Sequence, residues 1–211
     1  MKLGRQVSVT GVNSHLNGYW PVSLAAKAGD QDLPGRYLAL DLSKLSAACS
    51  NRVDGLIGAD FLRDRVVQID YAAQKLRLLA RSNAGNDADV IPLEIRPCGL
   101  RVRVSVNEAT SGWVRLDTGC ATALQWVTSE VPSENCSRKP AVGLVELSIP
   151  QTETSIRIGT ARADHVPTGL HREAIFPGES GLIGNELLAR FEIITIDARN
   201  QRLILGRTAV K

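Results

Sequence analysis

Two stretches of the chain repeat one another. Residues 53–79 read VDGLIGADFLRDRVVQIDYAAQKLRLL, and residues 179–205 read ESGLIGNELLARFEIITIDARNQRLIL. Each carries Gly-Leu-Ile-Gly, an acidic residue with a leucine-rich turn, an apolar strand closing on Ile-Asp, and a last strand with a Leu-x-Leu pattern. From the first glycine to the Ile-Asp aspartate there are 15 residues in the first copy (55 to 70) and 16 in the second (181 to 197). One slipped loop residue reconciles them. Copies of one supersecondary unit are expected to build the same backbone twice, so the chain reads as two related lobes. Gly, Asn, Asp and Ser cluster in ARSNAGNDAD, which sets the expected divisions at 1–80, a linker at 81–89 and a second lobe at 90–211.

Between these landmarks the pattern is one of strands. RQVSVTGV, GYWPVSLAA, RYLALDLS, RVVQIDY and KLRLL in the first lobe are short runs of Val, Leu, Ile and Tyr bounded by Gly, Pro, Asn or Asp. The second lobe continues with VIPLEI, LRVRVSV, WVRLDTG, GLVELSI, SIRIGTA, FEIITIDA and QRLILG. The fold class is therefore all-β with short helices, and GADFLRDR and GNELLARF are the segments expected to be helical.

Composition narrows the function classes. An apolar content of 44% over 211 residues suffices for a buried core. The net charge of +3 is dispersed, and aromatic residues are few, so no nucleic-acid surface is expected. No apolar run reaches the eighteen or so residues of a membrane span, and MKLGRQVSVTG lacks the apolar stretch of a secretory signal. Neither membrane insertion nor an export address is expected from these residues. Cys49, Cys98, Cys120 and Cys136 form no C-x-x-C pair and lie apart from His15, His165 and His171, which argues against a metal site. No phosphate loop, nucleophilic serine elbow or H-E-x-x-H pattern is present, so no cofactor is expected. Cys98 and Cys136 are a disulfide candidate if the protein works outside the cytoplasm, although spacing alone does not establish one.

The chemistry centres on WVRLDTGCATALQW, residues 113–126. Val114 and Leu116 alternate with Arg115 and place Asp117 at the mouth of a strand. Gly119 permits a tight turn that brings backbone N–H groups toward the carboxylate, and Thr118 supplies a hydroxyl that can fix the loop. Such a loop presents one carboxylate in a fixed direction.

These residues resemble the clan of retropepsin-like and pepsin-like aspartic proteases. Its motif is an apolar strand ending in Asp-Thr/Ser-Gly, followed some sixty residues later by two apolar residues and a glycine beneath the catalytic turn. Asp117-Thr118-Gly119 fits the first part and Leu182-Ile183-Gly184 the second, with 64 residues from Asp117 to Gly181. Residues 90–206 resemble a complete lobe, and residues 6–79 the later part of another, as in bacterial double-lobed members. The resemblance implies an acid-protease-like, two-lobed β-barrel fold and an endopeptidase acting on a peptide or protein substrate. Two aspartates would share a proton, one activating water as the other serves as acid, because two adjacent carboxylates cannot both ionise cheaply.

The partner of Asp117 is the departure from that pattern. By the spacing of the second lobe, the first lobe's Asp-Thr-Gly would stand at 55 − 64 = −9, ahead of Met1. Asp30, Asp32, Asp41, Asp54, Asp60 and Asp64 lack the Thr/Ser-Gly that should follow. Three readings stay open: a chain truncated at its N-terminus, a homodimer in which Asp117 meets its copy, and an inactive homologue serving as a peptide-binding or assembly module. Periplasmic or secreted location fits the first of these, and the compartment is otherwise undeclared. A hairpin over residues 7–24 is the flap candidate, with His15, Tyr19 and Trp20 as residues to meet substrate. Trp113 and Trp126 flank the motif, and at least one is expected in the core. Asp70 and Asp197 precede turns at strand ends and are expected to be structural.

Overall fold

A computed structural model describes residues 3–11, 14–21, 25–28, 31–33, 37–48, 51–85, 88–97, 99–130, 137–142 and 146–206. Cys49, Cys98 and Cys136 lie outside them, and with them the expected disulfide. The chain divides into two compact units, Met1–Ile57 with Val142–Leu147, and Gly58–Ala141 with Ser148–Lys211. Among the described residues no helix is long and apolar enough to cross a membrane.

In the first unit, β1 (Leu3–Gly11) and β2 (Ser14–Pro21) form the expected hairpin, antiparallel from Gly11↔Ser14 to Leu3↔Pro21. Its tip, residues 12 and 13, lies outside the description. A second pair joins β3 (Ala26–Ala28) to β4 (Gln31–Leu33), and α1 (Ser43–Ala48) follows.

The second unit begins with α2 (Ala59–Leu62), β5 (Val66–Asp70) and β6 (Lys75–Leu79), then β7 (Asp89–Pro92) and β8 (Glu94–Arg96). Next come β9 (Gly99–Val106), β10 (Thr110–Leu116), β11 (Leu124–Val127), β12 (Ser137–Val142) and β13 (Glu146–Ile158), of which Val142 and Glu146–Leu147 belong to the first unit, and β14 (Ala161–His171). The unit ends with β15 (Gly181–Ile183), α3 (Asn185–Leu188), β16 (Ile193–Asp197) and β17 (Arg202–Leu205). The chain is all-β, and α2 and α3 fall on the two segments expected to be helical.

Strand β9 shows why the larger sheet closes. Leu100, Val102, Val104 and Val106 are buried and alternate with Arg101, Arg103 and Ser105, so one face is apolar throughout. Pairing runs β13, β14, β11, β15, β10, β9, and β9 returns to β13 through Ile156↔Val106, closing a ring. Closure leaves those strands no free edge and encloses Val102, Val104, Val114, Leu124, Ile156 and Ile183. Trp126 is part of that core, whereas Trp113 is half-buried beside the Arg101 guanidinium.

The repeats meet in the second sheet, ordered β6, β5, β16, β17, β7. Gln68 pairs with Thr195, its own equivalent in the other copy, and the register is symmetric about that point: Asp70↔Ile193, Ile69↔Ile194, Val67↔Ile196 and Val66↔Asp197. Beyond the ladder, Tyr71 N–H donates to Glu192 O at 2.9 Å, and Ala198 N–H to Arg65 O at 3.2 Å. The hairpins also match, Ile69↔Leu76 and Asp70↔Lys75 in the first copy answering Ile196↔Leu203 and Asp197↔Arg202 in the second. This pairing places the first copy's hairpin in the second unit, so the division in space falls at 57/58 whereas the division between sequence copies was set at 81–89.

Asp70 and Asp197 both close turns by accepting backbone N–H groups, Ala73 at 2.8 Å and Asn200 at 3.1 Å. Asp197 is fully buried and also takes bonds from Ser82, the Asn200 amide at 2.8 Å and Arg202 at 3.0 Å. Burial alone would raise its carboxyl, but these donors outweigh it and hold the pKa at about 2. A depressed carboxyl stabilises the fold above its ordinary range of about 3.9 and loses that contribution as pH falls toward its folded value. Asp197→Ala is therefore expected to cost about 3 kcal/mol near neutral pH by leaving Arg202, Ser82 and Asn200 facing a hole. The difference in melting temperature from wild type should be full above pH ~4 and shrink below it. A variant that melts with wild type at pH 7 would remove the network from the stability of the fold.

Candidate active site

Asp117 follows the last residue of β10. That strand runs parallel to β15 through Val114↔Gly181, Arg115↔Leu182 and Leu116↔Ile183, and Asp117 N–H extends the ladder by donating to Ile183 O at 2.9 Å. The chain then turns sharply. Gly119 N–H donates to Asp117 Oδ1 at 3.0 Å, and Cys120 N–H to Asp117 O at 3.2 Å. One carboxylate oxygen is thereby anchored by the turn it begins, as the short Asp side chain permits.

The seat of this turn is the expected second segment. Leu182 and Ile183 lie between β10 and β11 and are 4% and 0% exposed. Gly184 follows, with its N–H donating to Ala123 O at 3.0 Å. A Cβ on Gly184 would stand 2.2 Å from Thr122 O and 2.6 Å from Cys120 O, so no larger residue fits beneath the turn. Thr118 and Gly119 form the turn after Asp117, with Thr118 engaged through its backbone carbonyl, and Ile183 and Gly184 bond to the segment from Asp117 to Ala123.

Among the described residues, the first copy has no such cover. Leu56 and Ile57 are 60% and 54% exposed, and a Cβ on Gly58, the equivalent of Gly184, would meet only the exposed Asp60 side chain, at 2.7 Å. Leu76 is likewise exposed where its equivalent Leu203 is buried.

Several supporting residues escaped the sequence reading. Arg115 reaches Glu179 through two bonds of 2.9 Å, with its guanidinium 3.4 Å from the Phe176 ring centre. Both partners are largely buried, and the bidentate pair ties the strand entering the turn to the loop entering β15. Asn185 donates its backbone N–H to Cys120 O at 2.7 Å and its side-chain amide to Thr118 O at 2.6 Å. Tyr71 O–H lies 2.8 Å from Asn185 Oδ1. Only Arg115 left a trace in the sequence, as a charge within an apolar strand; the other partners are remote in the chain.

A polar chain runs away from the turn. His171 Nε2 meets Gln125 Oε1 at 2.7 Å, Gln125 Nε2 donates to Thr122 Oγ1 at 2.8 Å, and Thr122 Oγ1 lies 3.1 Å from Cys120 Sγ. Because the Gln125 amide nitrogen is committed to Thr122, its oxygen faces the ring and Nε2 of His171 carries the proton. Burial lowers the His171 pKa, which keeps the ring neutral near neutral pH. Burial also pushes the Cys120 thiol up, and the Asp117 carboxylate adds to it against the Thr122 bonds. A thiol so placed stays protonated and is a poor nucleophile.

His15, Tyr19 and Trp20 lie on β2 of the other unit. His15 pairs with Thr10 through the backbone and its side chain is outside the description; Tyr19 exchanges backbone bonds of 3.0 and 2.9 Å with Ala39, and Trp20 is half-buried. Among the described residues, no group of three or more His, Cys, Asp or Glu could hold a metal ion. The chemistry on offer at the turn, among the described residues, is that of a single fixed, partly exposed carboxylate.

No family model matches the chain, and no curated protein does. Among solved structures it is similar to a retropepsin-like aspartic protease from Rickettsia conorii, with a TM-score of 0.42 and 18% identity over 59% of this chain and 96% of that one.

Proposed function

We propose that Asp117 is one of two catalytic aspartates of an aspartic-type endopeptidase. The observation that carries the reading is the seat of the turn: Asp117 N–H is bonded to Ile183 O and Gly119 N–H to the carboxylate, above a glycine that nothing larger can replace. That arrangement spends backbone bonds and close packing on the direction of one carboxylate, which suits a group that must meet a water or a second carboxylate at fixed distance.

Hydrolysis needs both a base and an acid. One carboxylate cannot be both in the same step, and two in contact share a proton, since ionising the second against the first is unfavourable. The ionised member would draw a proton from water as the water attacks the peptide carbonyl; the protonated member would donate to the carbonyl oxygen. The second carboxylate would come from another copy's Asp117 or from an Asp-Thr/Ser-Gly turn on polypeptide joined ahead of the first repeat. An extended peptide is the substrate shape that fits, because a β-rich site can bind it through main-chain bonds. The test is cleavage of an unfolded protein by the purified chain, measured across acidic to neutral pH and across protein concentration. Cleavage that depends on Asp117 supports the reading, and its absence at all concentrations, with or without a supplied first-lobe segment, favours a binding module.

A further inference from the structure

We propose that Tyr71 and Asn185 are positioning residues for the Asp117 carboxylate, acting through the Thr118–Gly119 peptide; this rests on the reading of Asp117 as catalytic. Thr118 O can only accept, so the Asn185 group 2.6 Å from it is the amide nitrogen. Asn185 Oδ1 therefore faces Tyr71, and at 2.8 Å the phenol must donate. Burial pushes the Tyr71 pKa up to about 12, which keeps that proton in place across the working range.

The consequence lies in the peptide plane. C=O and N–H of one trans peptide point in opposite directions within a rigid plane. Fixing Thr118 C=O against Asn185 thus fixes the direction of Gly119 N–H, and that N–H donates to Asp117 Oδ1 at 3.0 Å. Asn185 is itself held at both ends, by its backbone bond to Cys120 O at 2.7 Å and by the phenol. Tyr71 is held by the 2.9 Å bond from its own N–H to Glu192 O.

The repeat makes the contact conspicuous. The backbone bonds of Tyr71 and of its equivalent, Ala198, are symmetric, but Ala198 has no phenol. The residue equivalent to Asn185 is Ala59, which has no amide. Each copy supplies one half of a bond that exists once, and that bond serves the copy with Asp117. A symmetric structural role would place the same pair in both copies.

Nuclear magnetic resonance of the full chain tests this without any assay of cleavage. In Asn185→Ala and Asn185→Asp, hydrogen exchange at Gly119 N–H is expected to quicken about tenfold, the equivalent of one hydrogen bond, with its proton shift moving in step. Amides of β16 and β17 should stay unchanged. Asn185→Asp matters because it keeps the size and loses the donor to Thr118; a merely space-filling role would leave Gly119 as in wild type. Tyr71→Phe keeps the half-buried ring and should give the same effect in smaller measure. Unchanged Gly119 exchange in the Asn185 variants, or equal loss of protection across β16 and β17, would overturn the proposal. Where cleavage is measurable, kcat should fall with KM steady. A wild-type chain that cleaves nothing at any concentration, with or without a supplied first-lobe segment, defeats the peptidase reading and leaves the exchange result standing by itself.

Discussion

Asp117→Asn is expected to lower peptide-bond cleavage by about a thousandfold or more, the range lost when a positioned acid–base group is removed. The fold should not notice. Asparagine keeps an oxygen to accept Gly119 N–H, now at 3.0 Å, and the backbone bond of residue 117 to Ile183 O is untouched. The melting temperature is therefore expected to stay within about 2 °C of wild type, the scale of a surface change below 1 kcal/mol. Asp117→Ala lacks that acceptor and should lose activity and some stability together, which makes it the weaker experiment. Mixing adds information about the second carboxylate. If it is another copy's Asp117, excess Asp117→Asn chain will poison wild-type subunits, and activity will fall faster than dilution explains. If it comes from the same polypeptide, activity will fall in proportion only. A variant that retains a tenth or more of wild-type turnover would remove Asp117 from the chemistry.

How far the sequence carried differs from element to element, and the differences have physical causes. Backbone geometry was legible because identical residues in the two repeats impose the same turns and alternations: α2 and α3, β5 and β16, and β6 and β17 each fall at equivalent positions. Burial was not legible in this way. Leu56-Ile57 and Leu182-Ile183 are the same dipeptide, yet only the second pair is covered, since β10 and β11 lie on either side of it. Hydrophobic burial belongs to the contact and not to the residue. The Asp117 turn was readable because its parts are adjacent in the chain. Its supports were not: Glu179 stands 64 residues from Arg115, and Tyr71 stands 114 from Asn185. The division at 57/58 was hidden for a related reason, as a linker-like composition at 81–89 says where sequence copies end and not which sheet a hairpin joins.

Gly184→Ala and Gly58→Ala turn that asymmetry into a measurement. Gly184 has φ −108° and ψ −174°, an extended conformation open to any residue, so its glycine is required by space and not by backbone angle. The methyl that Gly184→Ala adds would sit 2.2 Å from one backbone carbonyl and 2.6 Å from another, and backbone cannot yield as a side-chain tip can. Relief requires lifting the 117–122 turn off β15, which strains the bonds of Gly184 N–H to Ala123 O and Asn185 N–H to Cys120 O. The expected cost is about 3 kcal/mol or more, at the upper end of overpacking. For a chain of this size that lowers the melting temperature by roughly 6–12 °C. Gly58 is the equivalent glycine of the other Gly-Leu-Ile-Gly, where a Cβ would meet at 2.7 Å only the tip of the exposed Asp60 side chain, which can turn away into solvent. Alanine there should be neutral within about 0.5 kcal/mol, or slightly stabilising through the lost freedom of the unfolded chain. If the two variants melt alike, the seat beneath Asp117 is not the close-packed contact described. If Gly58→Ala becomes costly only when polypeptide ending in Asp-Thr/Ser-Gly is supplied, the first copy has acquired the cover that the second already has.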